Sequence, residues 1–334
     1  MAVPRSTSHR AAATHALSTV AGLALGLIAV SAHADTGVSA EPDVRFTGPL
    51  ATGGPPLPKG LANAEPYLIN TQVHGVYDEH GNRHHVDGVP DGWTLLVPVG
   101  YGLTDRLGVG ATFSANDAST VSGGRKWELG DTSVSAGYLL ASGEKNNSSL
   151  TASIKHNIPS GQADRLHRHG LAEATGSGAS TTQLSLTGQA YFLADRNLRG
   201  RFNVGWRLPG THASLDGDSG YGTPEDFRGR AELHAASQAS IGLEYSFNPE
   251  WVVATDVIYE QDRGAHVRGI VTSSDGVRSA YDTQLPMSWR VSVAPAVEYN
   301  VTDKVGVIAG AQVSLDGRNA AAIFAPQVAV NMVF

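Results

Sequence analysis

No cysteine occurs among the 334 residues, which excludes disulfides and thiolate metal sites. Charge is also scarce: 16% of residues are Asp, Glu, Lys or Arg, and the formal net charge is −7. Such mild, dispersed acidity leaves no basic footprint for nucleic acid, so none is expected as a partner. Long apolar runs are missing too. The one candidate, "ALSTVAGLALGLIAV" at 16–30, would be about 22 Å long as a helix, against a hydrocarbon core of ~30 Å. It follows Arg5 and Arg10 and precedes Ala32-His33-Ala34, the pattern of a secretory signal peptide over 1–34 cleaved after Ala34. No acidic residue precedes Asp35, so losing the two arginines takes the charge from −7 to −9.

What the chain does have is glycine, 39 residues of it, and a mean hydropathy of −0.14. That is too polar for a bundle of membrane helices. It suits strands that show an apolar residue to lipid and a polar one to a lumen. Residues 35–63, "DTGVSAEPDVRFTGPLATGGPPLPKGLAN", sustain no period and are dense in proline and glycine. They are expected to form an extended segment, a periplasmic collar or a plug in the barrel mouth. Residues 64–334 are expected to form the barrel.

Period-two runs begin at Tyr67 and recur to the end. Aromatic residues bracket several of them at even separations: Tyr67 and Tyr77, Trp93 and Tyr101, Trp251 and Tyr259, Trp289 and Tyr299, Phe324 and Phe334. Each pair therefore shares a face, and no charge lies between its members on that face. At ~3.3 Å per residue and a strand tilt near 40°, eight to ten residues rise roughly 20–25 Å. That is the height of the apolar band between the two aromatic girdles of an outer-membrane barrel. These ten residues are the expected membrane girdle, with lipid as their partner.

The pattern predicts twelve strands, near 65–77, 93–102, 106–116, 128–140, 149–159, 181–193, 201–209, 231–247, 251–260, 286–299, 305–315 and 322–334. Short links, such as "LTDR" (103–106) and "NPE" (248–250), alternate with long ones at 78–92, 117–127, 160–180, 210–230 and 261–285. Transmembrane barrels alternate in this way between short periplasmic turns and long outer loops. The chain stops on "FAPQVAVNMVF", as a last strand would if it had to pair with the first and remove both open edges.

Gly48-Pro49-Leu50, Leu57-Pro58-Lys59-Gly60 and Glu65-Pro66-Tyr67, followed by the barrel pattern, resemble the bacterial family named for the meta-pathway of phenol degradation. "IKHNIPSG" (154–161) resembles that family's Lys-x-Pro-Thr-Gly strand end, although His156-Asn157 lengthen it and Ser160 stands in place of Thr. The resemblance implies an outer-membrane channel fold over nearly all of 46–334. A terminal Phe334 also resembles the signal read by the outer-membrane assembly machinery, which is then an implied partner.

Residues out of phase with the apolar rows are the candidate lumen lining: Gln72, His74, Lys155, Arg207, Glu244, Asp256, Arg290 and Glu298. They could form a mixed-sign constriction that filters solutes, or they could simply pair across a narrow lumen. Histidines in "DEHGNRHHVDG" and "RLHRHG" sit in loop spacings that fix no metal geometry, and no cofactor or metal is expected. His156 and Ser160 could belong to a lipid hydrolase of barrel fold, but a third member of the triad is missing from the pattern. The expectation is a non-enzymatic, all-β, twelve-stranded antiparallel barrel in the outer membrane that passively admits small, apolar or aromatic molecules. The alternatives are a closed structural or surface-binding barrel and, after that, a membrane-embedded lipid hydrolase.

Overall fold

A computed structural model describes residues 46–48, 50–89, 91–143, 147–193 and 195–334. The expected signal peptide and the start of the lead-in segment lie outside the described residues. Among the described residues there are nineteen strands. In chain order these are β1 (Ala62–Ala64), β2 (Tyr67–Tyr77), β3 (Arg83–His84), β4 (Gly92–Gly102), β5 (Leu107–Ser119), β6 (Arg125–Leu129), β7 (Thr132–Gly143), β8 (Ser148–Ile158), β9 (Thr181–Phe192) and β10 (Leu198–Leu208). There follow β11 (Ala213–Asp216), β12 (Phe227–Leu233), β13 (Ala236–Ser246), β14 (Trp251–Asp262), β15 (Ala265–Thr272), β16 (Arg278–Gln284), β17 (Ser288–Asn300), β18 (Val305–Arg318) and β19 (Ala320–Val333).

Twelve of these strands form a closed antiparallel ring in the order β2, β4, β5, β7, β8, β9, β10, β13, β14, β17, β18, β19. β19 closes it by pairing with β2 in a register that sets Tyr67 opposite Ala329 and Tyr77 opposite Ala320. Below β2, β1 continues the first strand between β4 and β19. The backbones of Ala62 and Phe334 bond to each other, Phe334 N to Ala62 O at 2.8 Å. No ring strand keeps a free edge, as a hydrocarbon setting demands. All twelve ring strands overlap the expected ones.

The alternation is inside-out relative to a water-soluble protein. On β13 and β14, Ile241 is 63% exposed and Val257 52%, while Glu244 and Asp256 are 1% and 0% exposed. A charge turned to lipid at mid-depth costs about 2–4 kcal/mol, which explains the sorting. Rings pair at both ends of the apolar rows: Trp251 with Tyr299 at 4.7 Å, Tyr259 with Trp289 at 6.4 Å. Trp251 and Tyr259 lie on the same strand, roughly 20 Å apart in height at ordinary strand rise and tilt.

One expected strand and several loops differ from the sequence pattern. Residues 231–247 break at His234-Ala235, so the upper part joins β12 rather than the ring. β11, β12, β15 and β16 form a separate four-stranded sheet on the long-loop side. Its core is Phe227, Ala231, Val267, Leu215, Ala213 and Ala179, all buried. At Gly229 and Gly269 a side chain would meet first the carbonyl of the paired strand, Arg268 O at 2.1 Å and Arg228 O at 2.3 Å, and then the Phe227 ring. A Cβ at either would come within 2.6–2.7 Å of that ring.

Candidate functional site

The ring interior is occupied in part by the chain's own lead-in. Thr47 N donates to Glu298 Oε2 at 2.7 Å, and Thr47 Oγ1 donates to Asn300 Oδ1 at 2.9 Å. Further on, Ala51 N donates to Asp256 Oδ2 (3.0 Å) and Thr52 Oγ1 to Asp256 Oδ1 (2.7 Å). Arg201 Nη1 donates to the Thr52 carbonyl at 3.2 Å. Leu50 packs among Tyr67, Leu96, Ile258, Ile308 and Ala329, which are inward-facing members of five different strands. Glycine in the inner rows makes room for this segment: a Cβ on Gly306 would sit 2.0 Å from Thr47 Oγ1, and one on Gly102 2.1 Å from the Pro58 carbonyl. The segment thus crosses the interior from β18 to β4.

The inward charges form a small number of bonded groups. Arg199 meets Glu244 twice, Nε to Oε2 at 2.8 Å and Nη2 to Oε1 at 2.6 Å. The same guanidinium lies 4.3 Å from the Phe46 ring centroid, and Phe46 packs edge-on against Tyr191 at 5.7 Å. Arg290 pairs with Glu260 (2.6 Å) and Arg207 with Asp262 (2.5 Å). Glu65 accepts from Tyr67 Oη at 2.6 Å and from Asn331 Nδ2 at 2.8 Å.

Beside the segment a cavity of about 90 Å³ remains, bounded by Gly54–Leu57 on one side and by residues of β4, β5, β7, β8, β9, β10 and β13 on the other. Hydroxyls and amides dominate that wall. Asn203 Nδ2 donates to Thr187 Oγ1 (2.7 Å), Gln238 Nε2 to Asn203 Oδ1 (3.2 Å) and Gln183 Nε2 to Ser185 Oγ (3.1 Å). The volume has room for several waters.

Of the residues singled out by alternation, Lys155, Arg207, Glu244, Asp256, Arg290 and Glu298 lie on inward rows of the ring. Gln72 and His74 do not. Gln72 stands opposite Phe324 on the outward row of β2, and the His74 ring lies 6.3 Å from that of Phe324. Tyr67 and Tyr77 correspondingly turn inward, 1% and 4% exposed, instead of facing lipid. The cause is the filled interior. Alternation identifies two rows but not which one meets lipid, and here Leu50 and Ala51 provide an apolar surface inside that Tyr67 and Ile69 cover. The other eight expected girdle residues lie on the outer surface; Trp93, Tyr101, Trp251, Tyr259, Tyr299, Phe324 and Phe334 are exposed, and Trp289 is partly so.

His156 and Ser160 are not brought together. His156 Nδ1 bonds Thr182 Oγ1 at 3.0 Å, whereas Ser160 Oγ donates to the Gly130 carbonyl at 3.0 Å. The loop histidines pair with separate carboxylates, His84 with Asp78 and His85 with Asp87, both at 2.7 Å. Among the described residues no three candidate ligands converge on a metal position. Sequence reasoning passed over the small hydroxyls of the cavity wall. Their signal was present in "TTQLSLTGQ", where Ser, Thr or Gln fills every second position, and in "LTASIKHN", where Thr151, Ser153, Lys155 and Asn157 do.

Among the solved structures similar to this one are an outer membrane channel and a porin. The chain is similar to the COG4313 outer membrane channel from Pseudomonas putida F1, with 16% identity, a TM-score of 0.60, and coverage of 83% of this chain and 97% of that one. It also matches the KdgM porin (8% identity, TM-score 0.40, 81% and 99% covered). A further match is the TodX monoaromatic hydrocarbon channel deltaS2 mutant (12%, 0.39, 83% and 90%). No family model matches the chain, and no curated protein matches it. By fold, the chain is an outer-membrane β-barrel.

Proposed function

We propose that the barrel is a channel through which small molecules cross the outer membrane passively, apolar and aromatic ones among them, with residues 46–61 as a plug that narrows it. The carrying observation is the pairing of a bonded segment across the interior with a cavity at its side. Likeness in fold to a protein named as an outer membrane channel supports the reading, as do the lead-in motifs that resemble the phenol meta-pathway family. In this reading 35–63 is the plug region and 64–334 the barrel, held in lipid by its aromatic girdle. Phe334 presents the last strand to the assembly machinery.

The closed-barrel reading draws on one observation, the number of bonds that Glu298, Asp256 and Arg201 make to the segment. Deleting residues 36–60 separates the two. A plugged channel gains conductance several-fold in planar bilayers, and its liposomes swell faster in small solutes. An unchanged current would remove the plug role. Absence of current and of swelling in both forms would remove the channel role as well.

A further inference from the structure

We infer that the cavity beside the lead-in segment selects for small anions, and that Lys155 on β8 is the residue that sets this preference. The inference rests on the channel reading and specifies its solute class: a monocarboxylate with a compact apolar body.

The charges inside the barrel are distributed unevenly. Glutamates, aspartates and arginines of β10, β13, β14 and β17 bond one another or the lead-in, as in Arg199–Glu244, Arg290–Glu260 and Asp256–Thr52. None of these side chains borders the cavity. Its described lining holds a single charged side chain, Lys155, set in the wall between Ser135 and Gln183 of the neighbouring strands. Most of the rest of that wall is hydroxyl, amide and glycine, with Tyr101, Val109, Ala136 and Ile154 among them, and all of it is neutral. In such a lining one fixed cation decides which sign is concentrated, because a low-dielectric wall focuses its field into the narrow water space.

The opposite boundary is different in kind. Pro55, Pro56 and Leu57 present ring and side-chain carbon, with Pro56 seated over Gly108, whose added Cβ would lie 3.0 Å from Pro56 Cβ. A solute between the two sides therefore meets an ammonium and hydrogen-bonding groups along the wall, and carbon along the segment. A carboxylate attached to a small apolar group matches both. Such a carboxylate is favoured over a neutral hydrocarbon of the same size, which gains nothing from the ammonium, and a cation is repelled.

The test uses the mature protein in planar bilayers under a tenfold potassium chloride gradient, then with potassium benzoate in place of chloride. The expected reversal potential has the sign of anion preference, with a permeability ratio of about 3 or more for chloride over potassium. Benzoate carries current as well. Lys155→Gln brings the ratio to about 1, Lys155→Glu inverts it, and Lys155→Arg retains it, with heat-modifiable gel mobility confirming that each variant is folded. Measurable current with no sign preference in the wild type, or an unchanged ratio in Lys155→Gln, overturns the inference and leaves the channel standing. No current in both the wild type and the form lacking residues 36–60 overturns both, and current in the deleted form alone overturns the inference and leaves the channel standing.

Discussion

Arg199 and Glu244 illustrate what a single inward charge must do. Both side chains are at most 1% exposed, and two hydrogen bonds join them. Removing one partner strands a buried charge, so Arg199→Ala should lower stability by about 3–5 kcal/mol. Replacing both by Met and Leu should cost much less, because no charge is then left alone. Urea unfolding in phospholipid vesicles measures both, and equal losses would show that packing rather than charge matters at this position. On the outer side, Asp216 accepts from Arg168 (3.0 Å) and also meets Arg165 (3.1 Å), and these guanidiniums hold its carboxyl below the ordinary carboxylate range. A depressed folded-state pKa stabilises above the unfolded value and is lost as pH falls through the depressed one. Protease sensitivity of the 160–180 loop should accordingly rise on acidification below about pH 4. Asp216→Asn should be as sensitive at neutral pH as the parent becomes in acid.

Elements divide into those whose pattern suffices and those that depend on a partner. β14 reads directly as a lipid-facing strand, since Trp251, Val253, Val257 and Tyr259 alternate with residues that include Asp256 and Glu260. β2 does not. Tyr67, Ile69 and Val73 form as good an apolar row as any, yet that row faces inward because Leu50 waits there. No local rule could reveal this, as Leu50 meets residues of five strands that are brought together only by closure. The outer sheet was illegible for another reason: β11 and β16 are short and carry polar residues on one face, and the loop composition concealed them. Phe227 was the available clue, an aromatic ring in a glycine-rich stretch. Phe227→Ala should cost this sheet about 3–5 kcal/mol. Because the ring strands do not depend on it, heat-modifiable mobility should persist while proteolysis within 210–285 accelerates. Loss of both together would mean that sheet and barrel fold as one unit.

Across the molecule, the chain reverses the usual relation between polarity and burial. In a water-soluble fold an exposed Ile at a strand centre is a mild liability, and replacing it with Arg changes stability by no more than about 0.5 kcal/mol. Ile241 is 63% exposed and flanked on β13 by Ser240 and Gly242, both turned inward. If that exposure is to hydrocarbon, Ile241→Arg loses about 2–4 kcal/mol, because the guanidinium must either leave water or distort the bilayer. The same substitution at Val301, in the short turn between β17 and β18 and 53% exposed, meets water and should be nearly neutral. Urea unfolding of the two variants in vesicles compares two exposed positions set in different surroundings. A matching, small effect at both would mean that the outer face of the barrel is wet, and the sorting of charge into the lumen would then need another explanation.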